Sequence, residues 1–194
     1  MGCPGRTAST GRLGRVIAEH LPCRAGDVVV RRLDHADAEA FAAGTTDTAV
    51  RQYGHLPLRE YTPQTVRDQI DGVIADGLAD GSLAVLAIAD ASSNQFLGSI
   101  VLFDIHDGRA EVGFWLTPQA RGRGAARNAL RAVVDLAARS GLTRLDARTH
   151  PANEGSQRVL HGAGFVHTRG PEEQVAPSGE LVPVLTFERA LTAR

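Results

Sequence analysis

The stretch from Glu111 to Arg127 constrains this chain more than any other. Glu-Val-Gly-Phe-Trp-Leu reads as an apolar strand, Thr-Pro-Gln-Ala as a short turn, Arg-Gly-Arg-Gly as a glycine pair among arginines, and Ala-Ala-Arg as the opening of a helix. A strand that turns into a helix leaves the first helical N–H groups unpartnered and aims them, with the positive end of the helix dipole, at whatever lies beyond the strand. Gly122 and Gly124 keep side chains away from that main chain, and Arg121 and Arg123 bring positive charge to the same spot. The segment reads as an anion cradle fit for a phosphate.

Spacing separates the proteins that use such cradles. A P-loop requires Gly-Lys-Ser/Thr, and this chain contains no lysine. A dinucleotide fingerprint requires Gly-x-Gly-x-x-Gly directly after the strand; here Arg127 stands in the third glycine's place and Thr117 to Arg121 intervene before the first. What remains, Gln119-x-x-Gly122-x-Gly124 after a strand ending at Leu116, resembles the acyl-CoA pyrophosphate loop of the GNAT N-acetyltransferases. The run from Glu111 to Phe165 is similar to the RimJ/RimL-type branch, whose strand before the loop reads Glu-hydrophobic-Gly-aromatic-Trp-Leu.

A length of 194 residues with 43% hydrophobic content fits one globular domain with a proper core. No stretch approaches the ~18 apolar residues of a membrane span. A net charge of -1 argues against nucleic acid as the partner, which leaves small molecules or a protein end. Cys3 and Cys23 stand far from any histidine cluster and indicate neither zinc nor a disulfide framework, so a reducing cytoplasm is expected. Arginine supplies every basic residue other than histidine, a usage that suggests a GC-rich bacterial genome. Arg6, Arg12 and Arg15 break any apolar core of a signal peptide, and Arg6 occupies the place where a myristoylation signal has Ser or Thr. Residues 1–26 are therefore expected to form a flexible leader, and residues 27–194 the acetyltransferase-like domain.

Strands are expected over 28–33, 83–89, 96–103, 110–116, 142–149, 165–168 and 182–189. A helix is expected from Asp34, and another from Thr62-Pro63 with Val66, Ile70, Val73, Ile74 and Leu78 on one face. After the cradle, Ala126, Leu130, Val133, Val134 and Ala137 form a buried stripe opposite Arg127, Arg131, Asp135 and Arg139, and Asn153 to Ala163 forms a short helix closed by Gly164. Closely joined strands pair antiparallel, whereas the strand–helix–strand unit across the cradle pairs in parallel. The fold class is α/β (α+β): a mixed, mostly antiparallel sheet of about six to seven strands with helices on both faces. The resemblance, which covers about residues 28–190, implies that this sheet is splayed at the acyl-CoA site.

A second motif, Asn153-x-x-Ser156 followed by Gly164-Phe165, matches the helix and strand entry that line the pantetheine arm in the resembled family. The resemblance implies acetyl-CoA as co-substrate and no metal. The backbone of Phe114 and Leu116 would bond the arm, and the amides of Arg121, Gly122, Arg123, Gly124, Ala125 and Ala126 would hold the pyrophosphate. Plainer readings stand beside these roles: Asn153 as an N-cap, Ser156 as an ordinary early-helix serine, Trp115 as core, Arg121 and Arg123 as solvated surface.

An amine attacking a thioester must be neutral, positioned and relieved of a proton, while the departing thiolate needs a donor. Glu111, an acidic position common in the resembled branch, is the candidate base, acting directly or through water; its plainer reading is an exposed strand residue. Ser156 is the candidate donor to sulfur. Many relatives place a tyrosine in the helix after the second motif, where this chain has Leu160 and His161; His150 is a further proton relay or a structural histidine. The implied acceptor is a protein N-terminal amine or a small-molecule amine, received by the first two helices and the loops at 51–60, 104–107 and 171–180. A homodimer is left open, and a non-catalytic acyl-CoA-binding module or sensor is the alternative to the enzyme.

Overall fold

The computed structural model describes residues 16–54, 56–176 and 179–192. The strands are β1 (Cys23–Ala25), β2 (Val28–Arg32), β3 (Ala84–Asp90), β4 (Phe96–His106), β5 (Arg109–Leu116), β6 (Arg144–Thr149), β7 (Val166–Val175) and β8 (Leu181–Ala190). They form one open sheet of 8 strands in the order β1-β2-β3-β4-β5-β6-β8-β7. Every neighbouring pair is antiparallel except β5 and β6, which the intervening helix forces into parallel.

The helices are α1 (Ala38–Thr45), α2 (Thr48–Tyr53), α3 (Pro63–Gln69), α4 (Ala75–Asp80), α5 (Ala125–Arg139) and α6 (Glu154–Gly162). α5 packs its Ala129, Leu130, Val133 and Ala137, all fully buried, on one sheet face with Val112 and Leu145, while Arg127, Arg131 and Arg139 stay in water. α1 and α3 cover the other face, where Phe41 lies edge-on to Trp115 with ring centroids 5.2 Å apart. Side chains alternate along β5, so Val112 and Leu116 go to the first core and Trp115 to the second. Among the described residues no helix is long and apolar enough to cross a membrane.

Four expectations change. The sheet has an eighth strand because β1 pairs with β2, matching Cys23 with Val30. Residues 16–26, expected within the leader, belong to the fold: 16–19 are helical and Ile17 is fully buried. A three-residue edge strand holds too few alternations to be read. The rest of that leader, with Cys3, lies outside the described residues. Second, the helix from Thr62 passes through a π turn (Ile70–Ile74) with Gly72 at φ -110, ψ -108, which rotates Val73 off the expected face to 55% exposure. Third, residues 48–53 form α2, whereas a loop is expected from residue 51. Fourth, β7 runs well past Thr168; almost wholly exposed at the sheet edge, it lacks the alternation that reveals a half-buried strand.

Candidate active site

β5 and β6 pair only over Arg109–Arg144, Ala110–Leu145 and Glu111–Asp146; beyond Glu111 the two strands part. Along a strand, alternate residues aim their backbone groups at opposite neighbours. The Thr117 N–H donates to Leu97 O at 2.9 Å on the β4 side, which puts Trp115 in the set facing β4 and turns the groups of Phe114 and Leu116 into the opening. The expected splay is present, and it begins at the candidate base. The Leu116 carbonyl already accepts from Arg121 Nη2 at 2.9 Å, so Phe114 and the Leu116 N–H are the groups left to bind an extended ligand.

The strand runs out of this opening into the cradle. A 3-10 turn (Pro118–Ala120) leads to Gly122 and Gly124 at φ +75 and +81, left-handed values that favour glycine, and a Cβ built on Gly122 would meet nothing within 4 Å. The space above Gly122 is therefore open. Gly124 is the N-cap of α5 and offers no side chain to cap it. The N–H groups from Gly122 to Arg127 have no acceptor among the described residues, while the next, of Asn128, returns to Gly124 O at 3.0 Å. A row of unpaired amides beside a 15-residue helix fits an anionic diphosphate.

Arg121 departs from its expected role. Its amide donates to Pro118 O at 3.3 Å, and its guanidinium binds Asp47 as well as Leu116 O, so neither its N–H nor its charge is free for the cradle. Arg123, exposed beside Gly122, is left to supply positive charge.

Glu111 is not the exposed strand residue of the plainer reading. Its side chain is 14% exposed, and Arg148 Nε donates to both carboxylate oxygens at 2.9 Å. Burial pushes its carboxyl above the ordinary range, Arg148 pulls it back, and Asp104 and Asp146 add to the rise. Asn153 caps α6, accepting the Ser156 N–H at 3.1 Å through Oδ1, which leaves its amide NH2 available; both side chains are half-buried. His150 follows the last residue of β6, and its Nδ1 accepts the Ala152 N–H at 3.1 Å. Trp115 is core, as its plainer reading had it.

The sequence reading did not single out Arg148, Gln174, Asp47 or Tyr53. Arg148 Nη1 donates to Gln174 Oε1 at 3.0 Å. Asp47 caps α2 through the Ala49 and Val50 N–H groups, both at 3.1 Å, and binds Arg121 at the end of β5; at the other end of α2 the Tyr53 ring lies 5.7 Å from His150 at the end of β6. α2 is thus tied to both strands where they stand apart. Only the Asp-Thr cap signal was visible in sequence; the rest are contacts across long separations.

The acetyltransferase (GNAT) domain family matches residues 27–166. Probable N-acetyltransferase YjcK of Bacillus subtilis (strain 168) is 38% identical over 87 residues, which span 43% of this chain and 48% of YjcK, about half its length. The ribosomal-protein-S5-alanine acetyltransferase of Vibrio fischeri superposes with a TM-score of 0.73 at 18% identity, covering 88% of this chain and 96% of that one. The spermidine N-acetyltransferase of Vibrio cholerae, solved with CoA and spermine, superposes with a TM-score of 0.72 at 15% identity over 86% of this chain and 97% of that one. These two likenesses are of fold.

Proposed function

The chain belongs to the GNAT acetyltransferase family, and from that premise we propose that it moves an acetyl group from acetyl-CoA to a primary amine by direct attack in a ternary complex, in the manner of the RimJ/RimL-type branch. The observation that carries this reading is the continuity of three features along one strand. Pairing between β5 and β6 ends at Glu111, the strand's free edge follows, and the unpaired amides from Gly122 onward lie at its end. That line suits a ligand with a long amide-bearing arm and a diphosphate head.

Acetyl-CoA, when bound, supplies the activated acyl carbonyl. The amides of Gly122 to Ala126 and the Arg123 side chain hold the diphosphate, and Phe114 and Leu116 hold the arm through backbone groups, with Asn153 at its flank. Glu111 takes the proton of the attacking amine, directly or through water, since a carboxyl raised by burial is a better base near neutrality than an ordinary one. Ser156 donates to the departing sulfur. The acceptor is a protein N-terminal amine or a small-molecule amine; the names of the two Vibrio enzymes carry a ribosomal-protein alanine and spermidine. It enters past α2 and Asp104, and the reaction takes place in the cytoplasm.

Calorimetry with coenzyme A tests the cradle, and thiol release from acetyl-CoA with a panel of amines tests the transfer. A mass-shift screen of cell extract with labelled acetyl-CoA then identifies the acceptor. Binding without thiol release for any amine, and without a labelled product, would leave the chain an acyl-CoA-binding module.

A further inference from the structure

We propose that Arg148 is the positioning residue of this site, holding Glu111 ionised and aimed across the opening between β5 and β6, with Gln174 of β7 fixing Arg148 in turn. The inference rests on the reading of Glu111 as base. Three observations carry it.

The first is where the contact lies. Glu111 opposes Asp146 in the last main-chain pair, and Arg148, two residues further along β6, faces the same side of the sheet. The Arg148–Glu111 contact therefore joins the strands one step beyond the point where their backbones separate. It is a side-chain stitch at the mouth of the gap, and cutting it frees the carboxylate from the strand opposite.

The second is the geometry. Arg148 Nε stands 2.9 Å from each carboxylate oxygen, while Nη1 donates to Gln174 Oε1 at 3.0 Å. One planar guanidinium links residues of β5, β6 and β7, and its orientation is set from the far side by β7. Each Glu111 oxygen spends one lone pair on Nε and keeps another for a proton. A lysine, with a single tetrahedral ammonium, cannot face both partners in this fixed fork.

The third is the charge balance. A buried carboxyl without a cation takes up a proton and ceases to be a base. The groups that act on Glu111 are Asp104 from β4 and Asp146 from β6, both opposing ionisation, and Arg148, the cation that favours it. Asp146 itself accepts from Arg144 Nε at 2.6 Å, and Arg144 also pairs with Glu188 at 3.2 Å, so that arginine is already engaged elsewhere. Glu111 depends on Arg148.

The test is a carbon-13 NMR titration of the glutamate side-chain carboxyls in the full-length protein, with the Glu111 signal identified by its loss in Glu111→Gln. No acceptor amine is required. Arg148→Met should raise the Glu111 midpoint by more than one pH unit, Arg148→Lys should raise it less, and Gln174→Ala should give a smaller rise with the ion pair loosened but retained. A Glu111 midpoint within 0.3 unit of wild type in Arg148→Met overturns the proposal. Should that variant fail to fold, an unshifted midpoint in both Arg148→Lys and Gln174→Ala overturns it equally. Thiol release by Glu111→Gln equal to wild type would instead strike the reading of Glu111 as base while leaving the titration result intact.

Discussion

Asp47 and Arg121 lie 74 residues apart in sequence and form an ion pair that fastens the N-terminus of α2 to the end of β5. Arg121 binds the Leu116 carbonyl with the same nitrogen, so the last residue of the gap-lining strand, the entry to the cradle and the first turn of α2 share one guanidinium. The other end of α2 rests on His150. A six-residue helix has little stability of its own, and it is held by these two attachments together with Val50, which is buried in the second core.

Asp47→Ala should therefore cost about 1 kcal/mol as a lost cap, or roughly 2–4 °C in melting temperature for a chain of this size. The Arg121 hydrogen bond, then the Val50 and Ala49 amides, hold the Asp47 carboxyl below its ordinary value. A depressed folded-state value gives stability that is present above the unfolded value and lost as pH falls through the folded one. The gap in melting temperature between wild type and Asp47→Ala should narrow below the ordinary aspartate range. A gap that stays constant from pH 7 down to pH 3 would show that the carboxylate's charge does not contribute.

Gly122→Val should abolish coenzyme A binding. At φ +75 a β-branched side chain is strained by about 1–3 kcal/mol, and its methyls would project into space that nothing else fills. Gly122→Ala should bind more weakly than wild type while unfolding only a few degrees lower. Calorimetry and thermal denaturation of the two variants separate the effects; unaltered affinity in Gly122→Val would mean that no ligand approaches this backbone.

The cradle and the parallel pairing of β5 with β6 were legible because both are consequences of local sequence, whereas the splay was an expectation of the family resemblance alone. A strand, a turn with two glycines and an alanine-rich helix declare themselves within one short window, and a parallel pair is imposed by the helix between its strands. The apolar stripe of α5 was readable for the same reason. Nothing local announces that Arg148 reaches Glu111 or that Arg121 turns away from the cradle to Asp47, since an arginine beside glycines looks the same whether it faces a ligand or a distant aspartate. β1 and β7 escaped or were cut short because edge strands show little or no alternation of buried and exposed residues, and Val73 was misplaced because one glycine-centred π turn breaks the helical period.

Away from the site, Arg31 and Asp37 form a two-point pair at 2.7 and 2.9 Å, with side chains 17% and 6% exposed. Asp37 also accepts the Asp34 N–H at 2.9 Å, and Arg31 reaches Asn94 at 2.7 Å, so the pair joins β2, the entry to α1 and the β3–β4 turn. Removing Asp37 leaves the Arg31 guanidinium partly buried without its bonded carboxylate, held only by Asn94 and the Arg32 carbonyl. Asp37→Ala should destabilise the protein by about 3 kcal/mol with coenzyme A affinity preserved in the folded fraction. Chemical denaturation monitored by circular dichroism measures it, and a loss below about 1 kcal/mol would place this pair with ordinary surface ion pairs.

Glu111→Gln should lower turnover by about 10²–10³, within the range that a positioned base contributes, and leave coenzyme A affinity unchanged, because the glutamine keeps the shape of the side chain and lies at the far end of the gap from the cradle. In wild type the sign of the pH dependence follows from burial. A carboxyl pushed above its ordinary value is protonated where an exposed glutamate would be ionised, so kcat should fall on the acid side with a midpoint higher than the unperturbed value of about 4.3. In the glutamine variant that limb should disappear from the residual rate. The measurement is thiol release from saturating acetyl-CoA, with the most active amine of the panel, from pH 5 to pH 9. Matching profiles for the two proteins would take Glu111 out of the chemistry, and the buried carboxylate at the head of the opening would then serve only to hold β5 and β6 together through Arg148.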